Sequence, residues 1–203
     1  MRVLADLRYN LANLANFGGR QTRRPFWTYA IAILLVMFAG GAAVVVPGVF
    51  AMVKRMQQFA VEHPEQAHVE SGPGYYSISI EGYHPELMPD MGGFMILLGV
   101  TVVIVILLLA AAVSRRLHDR GKAAVWGLAP VPFLAVGLTI APTLMQSVVQ
   151  AAGQSETPDV GRILPLFFLL FFNNMIYLAA LGYLAYLLSG ASEGDNRYGP
   201  APS

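Results

Sequence analysis

The sequence predicts an all-α membrane protein: a four-transmembrane-helix bundle with an extracytoplasmic loop that carries a short strand or one arm of a β-hairpin. Three observations lead there. Hydrophobic residues make up 56% of the 203 positions and charged residues only 12%, about half the charged share of a soluble domain. The charges are also segregated. Four stretches, 25–53, 91–114, 123–155 and 163–192, contain no Asp, Glu, Lys or Arg and together cover 116 residues. Too few polar residues remain to coat a soluble core of that kind. A helix rises about 1.5 Å per residue, so roughly 20 apolar residues cross a hydrocarbon layer of about 30 Å. Each stretch is long enough, and none alternates as a β-barrel strand must. Disulfide scaffolds are excluded by the absence of cysteine.

The first span is expected at about 26–51. Its apolar run starts only after about 25 residues and exceeds the 7–15 of a signal-peptide core, so it reads as an uncleaved span. Met52, Val53, Met56, Phe59 and Ala60 continue at helical spacing to about Val61, with one apolar face expected on the membrane surface. The outer loop, 54–90, is the only sizeable segment outside the spans. Gly72-Pro73-Gly74 breaks the chain there. Residues 76–81 then alternate with period two until Gly82 and Pro85 end them, and Met88-Pro89-Asp90 leads into the next span. His63, His68 and His84 lie in this loop among Glu62, Glu65, Glu70, Glu81, Glu86 and Asp90, but at no metal-ligand spacing. They read as part of a hydrated acidic loop, and no metal or cofactor is expected.

The second span, about 91–113, is the least ambiguous. The third, about 123–140, is interrupted by Pro130, Pro132 and Pro142. A proline inside a helix removes a hydrogen bond and crowds the preceding turn. A kink near 130–132 and a break at Pro142 are expected, with 143–154 lying along the membrane or re-entering it. The fourth span is about 163–188. Asn173 and Asn174 fall near its middle and read as interhelical glue, because no Asp, Glu, Lys, Arg or His sits in any span. The small residues 39–43 and 110–112 suit close helix packing, within one bundle or between copies.

Orientation follows from Lys and Arg. The N-terminal segment, the 114–122 loop and the C-terminal tail share one side and hold ten; Lys54, Arg55 and Arg162 make three on the other. Both termini are therefore expected in the cytoplasm, with residues 1–203 forming a single polytopic domain.

On the cytoplasmic side, topology alone needs positive charge in any order. Basic residues there also meet anionic lipid, and Trp27 and Tyr29 suit an interfacial aromatic belt. Yet seven arginines against one lysine occupy 20–24, 115–122 and 197. Arginine grips carboxylate or phosphate with a planar fork, whereas lysine is a point charge. If the second span stays helical through Asp119, Arg115 and Asp119 stand one turn apart and can pair, while Arg116 and Arg120 share an adjacent strip. His118 beside Asp119 is the one histidine here able to change charge near neutral pH. Gly121 suits a helix C-cap.

Three motifs recur on this side: Gly19-Arg20-Gln21-Thr22-Arg23-Arg24-Pro25-Phe26-Trp27, Arg115-Arg116-Leu117-His118-Asp119-Arg120-Gly121-Lys122 and Gly194-Asp195-Asn196-Arg197-Tyr198-Gly199-Pro200-Ala201-Pro202. Together they resemble the YhaH-like bacterial inner-membrane family, defined as a domain of unknown function (number 805), over about residues 16–202. The resemblance implies a small polytopic protein of the bacterial plasma membrane and no established activity. The long acidic outer loop departs from relatives that often have a shorter connection. So does Ala123-Ala124, where relatives often carry a small residue and then Gly.

Asp195 and Asn196 are expected to fold back onto Arg20, Arg23, Arg115 or Arg116 and close a polar cap. That cap is either architectural or a site for an anionic head group, with Arg20, Arg23, Arg115, Arg116, His118, Asp119, Asp195 and Asn196 as its candidate residues. No protease, hydrolase or nucleotide-binding motif is present, and His118 and Asp119, adjacent on a helix, point about 100° apart. A non-enzymatic membrane module is expected, with the bilayer, anionic phospholipid head groups, and a membrane-protein partner or second copy as partners. Nucleic acid is not expected. A small oligomeric transporter or channel is the alternative, and an enzyme acting on lipid head groups the third class.

Overall fold

The computed structural model describes residues 2–82, 84–87, 91–154 and 159–201. Helix α1 spans Arg2–Ala12 and α2 spans Arg23–Glu62. Strands β1, Ala67–Gly72, and β2, Tyr75–Ile80, form an antiparallel hairpin. A single 3-10 turn, Pro85–Leu87, follows. Then come α3, Met91–Asp119, a 3-10 segment at Ala124–Leu128, α4, Val131–Gln154, and α5, Val160–Ser189. Among the described residues, four helices are long and apolar enough to cross a membrane.

At 40 residues, α2 is about 60 Å long, twice the hydrocarbon thickness. Its far end therefore projects beyond the span, as the spacing of Met52 to Ala60 predicts. The hairpin and the turn after it pack against that end, and the Phe59 ring lies 4.6 Å from the His63 ring and 4.5 Å from the His84 ring. Protein, not membrane surface, thus covers part of the expected apolar face. Both arms of the hairpin form, from Ala67↔Ile80 to Gly72↔Tyr75. Pro73 and Gly74 make its two-residue turn, and Gly74 takes φ 87°, a conformation glycine adopts without a Cβ clash. The connector 88–90 lies outside the described residues.

The third span differs from expectation. Pro132 sits in the first turn of α4, where a missing N–H is not needed, so the irregularity at 130–132 is a helix start. Pro142 lies inside α4, which runs unbroken to Gln154. One interior proline costs about 3 kcal/mol. Ending the helix in hydrocarbon would strand several backbone groups at several kcal/mol each. Helix α5 packs beside α4, and Asn173 Nδ2 donates to the Phe133 carbonyl across the interface at 2.8 Å. Gly137 leaves room for it, since a Cβ there would stand 3.0 Å from that nitrogen. Among the described residues, Asn174 bonds only within its own helix, to the Leu170 carbonyl.

The protein core sits at one end of the bundle. Phe26, Tyr29 and Ala30 of α2, Ala112 and Leu117 of α3, and Leu187 and Leu188 of α5 form it, with Leu7 and Leu14 packed on from the N-terminal segment. Between 6% and 11% of the most apolar window of each span is buried. Lipid tails remove the hydrophobic drive between helices, so burial concentrates where water supplies one. Tyr29 belongs to this core rather than to an interfacial belt: it is fully buried, and its hydroxyl donates to the Leu108 carbonyl at 3.0 Å. Ala111 and Ala112 are buried as expected. Gly40 and Gly41 instead face open space.

Candidate functional site

The three motifs meet at the core end. Helix α3 carries the second one beyond the span because it stays helical through Asp119 and then stops in a Schellman turn. Gly121 takes φ 62°, its N–H bonds the His118 carbonyl at 3.0 Å, and Lys122 N–H bonds the Leu117 carbonyl at 2.8 Å. This confirms Gly121 as the cap and leaves Arg115, Arg116 and Asp119 on the last turns.

Asp119 is the node. It is fully buried. Arg20 donates to its Oδ1 through Nε at 3.2 Å and Nη2 at 3.1 Å. Arg116 Nη1 and the Ser192 hydroxyl donate to its Oδ2. Its backbone carbonyl accepts from Glu193 N–H at 3.0 Å. One carboxylate thus ties the segment before α2 and the tail after α5 to the end of α3.

The guanidiniums are equally committed. Arg20 Nη1 donates to the carbonyls of Gly194 and Gly199, both at 2.9 Å. Arg116 Nε donates to the Leu188 carbonyl at 2.8 Å, and Nη2 to the Gly190 carbonyl. Arg120 Nε reaches the Leu187 carbonyl at 3.2 Å, and Nη1 the Ala191 carbonyl. Arg116 and Arg120, on one strip as expected, therefore satisfy four carbonyls at and just past the C-terminus of α5, where a helix runs out of its own backbone donors.

Arg115 does not pair with Asp119. It turns to the other side and holds the N-terminal segment. Its Nε donates to Gln21 Oε1 at 3.2 Å, Nη1 to the Asn13 carbonyl at 2.9 Å and to that of Asn16, and Nη2 to Asn10 Oδ1 at 2.9 Å. Its guanidinium also lies 5.6 Å from the Tyr9 ring centre. A guanidinium that is 1% exposed is held here by neutral oxygens, with both carboxylate oxygens of Asp119 already taken. Gln21 Nε2 is buried without a partner among the described residues.

The tail folds back, but not through the expected atoms. Asn196 donates to the His118 carbonyl at 3.1 Å and accepts from Tyr198 N–H at 2.9 Å. Asp195 Oδ1 accepts from Ala201 N–H at 2.9 Å. Both side chains shape a tight turn, as short Asx side chains do, and backbone carbonyls of the tail meet Arg20. The Tyr198 ring stacks on His118 at 3.9 Å and 12°, and His118 Nδ1 lies 3.2 Å from the Gly19 carbonyl. Arg23 stands apart. Like Arg24, it is exposed, with no hydrogen bond or ion pair among the described residues.

Sequence reasoning missed α1, Asn10, Ser192 and the capping role of Arg120. Leu4, Leu7, Leu11 and Leu14 recur at helical spacing, a signal that could have revealed α1. Among the described residues no three His, Asp or Glu side chains group as a metal site.

The pieces of this cap come from motifs nearly 180 residues apart, and one family model spans them all. The model described as "Protein of unknown function (DUF805)" matches residues 14–200. The chain belongs to that family. No curated protein and no solved structure matches it. In this DUF805 chain the matched region begins just past α1 and takes in the first two motifs whole and the third as far as Pro200.

Proposed function

We propose that the chain is a non-enzymatic module of the bacterial inner membrane, with both termini cytoplasmic and its arginine end against the anionic inner leaflet. One observation carries this reading. Arg20, Arg115 and Arg116 donate to acceptors of the chain itself through every guanidinium nitrogen. Their part is to lock both termini to the end of α3. The cations left facing outward include Arg23, Arg24, Lys122 and Arg197, together with Arg2 and Arg8 of α1, all exposed, and they outnumber the exposed acids Glu193 and Asp195. Such cations attract anionic lipid at about 1 kcal/mol each, and the ten-to-three bias in basic residues supports the same orientation.

Two measurements test it. Protease added to intact spheroplasts should cut near Gly72 and spare the tail; the reverse pattern would sink the orientation. In nanodiscs of equal phosphatidylcholine and phosphatidylglycerol, the protein should enrich phosphatidylglycerol around itself, and neutralising Arg23, Arg24 and Lys122 together should remove the enrichment. Steady turnover of a phospholipid by the purified protein would replace this reading with an enzymatic one.

A further inference from the structure

The first turn of α2 is electrostatically incomplete. A helix N-terminus carries about half a positive charge and favours acids. Here its first two residues are Arg23 and Arg24, no acid lies in the turn, and the cap residue Thr22 makes no side-chain hydrogen bond. Both arginines are exposed, and Arg23 also faces the charge of buried Arg116. An anion from outside relieves all of these at once.

The same arginines stand at one end of an open groove between the start of α2 and the last turn of α5. Trp27, Thr28, Ile31 and Ser189 complete its lining, and its volume is about 540 Å³. The lining along α2 is graded. Two cations come first, then an indole and a hydroxyl. Ile31 follows one turn further along, 51% exposed and well inside the uncharged span. Of the carbonyls at and just past the end of α5, which would repel an anion, those of Leu187, Leu188, Gly190 and Ala191 are already occupied by Arg116 and Arg120.

Phosphate, glycerol ester and acyl chain follow one another in this order in a phospholipid. We infer that the groove holds one anionic phospholipid of the adjacent leaflet. Its phosphate lies against Arg23, Arg24 and the free amides of α2. Its glycerol region meets Thr28 and Ser189, and an acyl chain runs along Ile31. The inference rests on the membrane placement proposed above and adds a site of defined stoichiometry to it.

Native mass spectrometry of the full chain, released from nanodiscs of equal phosphatidylglycerol and phosphatidylcholine, tests the site. One phosphatidylglycerol per chain should survive release, and phosphatidylcholine should not. The double variant R23Q/R24Q should retain it about 30-fold less, the loss of two surface cations facing anionic lipid, with a thermal transition no lower than that of the parent chain, because among the described residues neither side chain is bonded and both stand at the positive end of a helix. Ile31→Trp, which fills the apolar end without altering charge, should also lower retention. Inorganic phosphate should not displace the lipid. Full retention in either variant overturns the site, and displacement by inorganic phosphate reassigns it to a free anion. If discs show anionic enrichment but no lipid survives at one per chain, the site fails while the membrane reading stands. If enrichment is absent too, both fail.

Discussion

Arg20 and Asp119 stand 99 positions apart and meet at 3.1 Å, with side chains 3% and 0% exposed. The pair joins the entry to α2 with the exit of α3. Because Arg116 and Ser192 share the same carboxylate, it also holds the tail. A buried ion pair of this kind adds little net stability against an apolar replacement, but removing one member leaves the other charge stranded.

Asp119→Asn is therefore expected to destabilise the protein by about 3–5 kcal/mol, since two buried guanidiniums lose the one carboxylate they pair with among the described residues. Thermal unfolding of the detergent-solubilised protein and its steady level in membranes should both fall. Wild-type stability in this variant would show that the cap is held by the neutral acceptors alone.

Arg115 and Arg20 hold different parts of the chain, so their loss should have different signatures. Arg115→Met should raise amide hydrogen exchange across residues 2–16, whose oxygens at Asn10, Asn13 and Asn16 it binds, while 193–199 stays protected. Arg20→Gln should do the opposite, freeing the tail carbonyls of Gly194 and Gly199. Identical exchange patterns would contradict this division.

Asn173→Leu should lower stability by about 0.6 to 2 kcal/mol, the range for interhelical hydrogen bonds in membranes. Asn174→Leu should change it little, because Asn174 bonds only its own helix. Thermal unfolding of the two variants side by side separates them.

In the 54–90 loop, Glu86 is held below the ordinary carboxylate range, first by its own backbone amide and then by the His84 ring, whose Nδ1 lies 3.0 Å away. A lowered carboxyl pKa contributes stability above the ordinary value, lost as pH falls through the Glu86 midpoint. Carboxyl NMR should place that midpoint below a free glutamate's. His84→Ala should raise it part of the way, because the amide remains.

The candidate site was only partly legible in the sequence. The three motifs marked the right end of the molecule, and the helical strip of Arg116 and Arg120 was readable from spacing alone. The pairing of Arg115 with Asp119 was equally allowed by spacing, yet Asp119 turns to Arg20, Arg116 and Ser192 instead. Asp195 and Asn196 looked like ligands for arginine because they are polar and near the end of the chain. Asp195 serves a local turn, Asn196 serves that turn and also donates to the His118 carbonyl, and the carbonyls of Gly194 and Gly199 meet Arg20.

Four apolar helices and the segregation of charge were determined by the sequence itself, because hydrocarbon demands an uncharged stretch long enough to cross it and that demand is met residue by residue along the chain. Pro142 did not end its helix, because a lipid-buried backbone has nowhere else to find partners. Which oxygen each guanidinium takes was decided only by the tertiary structure. Arg115 reaches back about 100 positions to Asn10 and Asn16, and Arg116 reaches forward more than 70 to Leu188 and Gly190. Those choices depend on how four helix ends converge, and directional bonds between distant segments leave no periodic trace in the sequence.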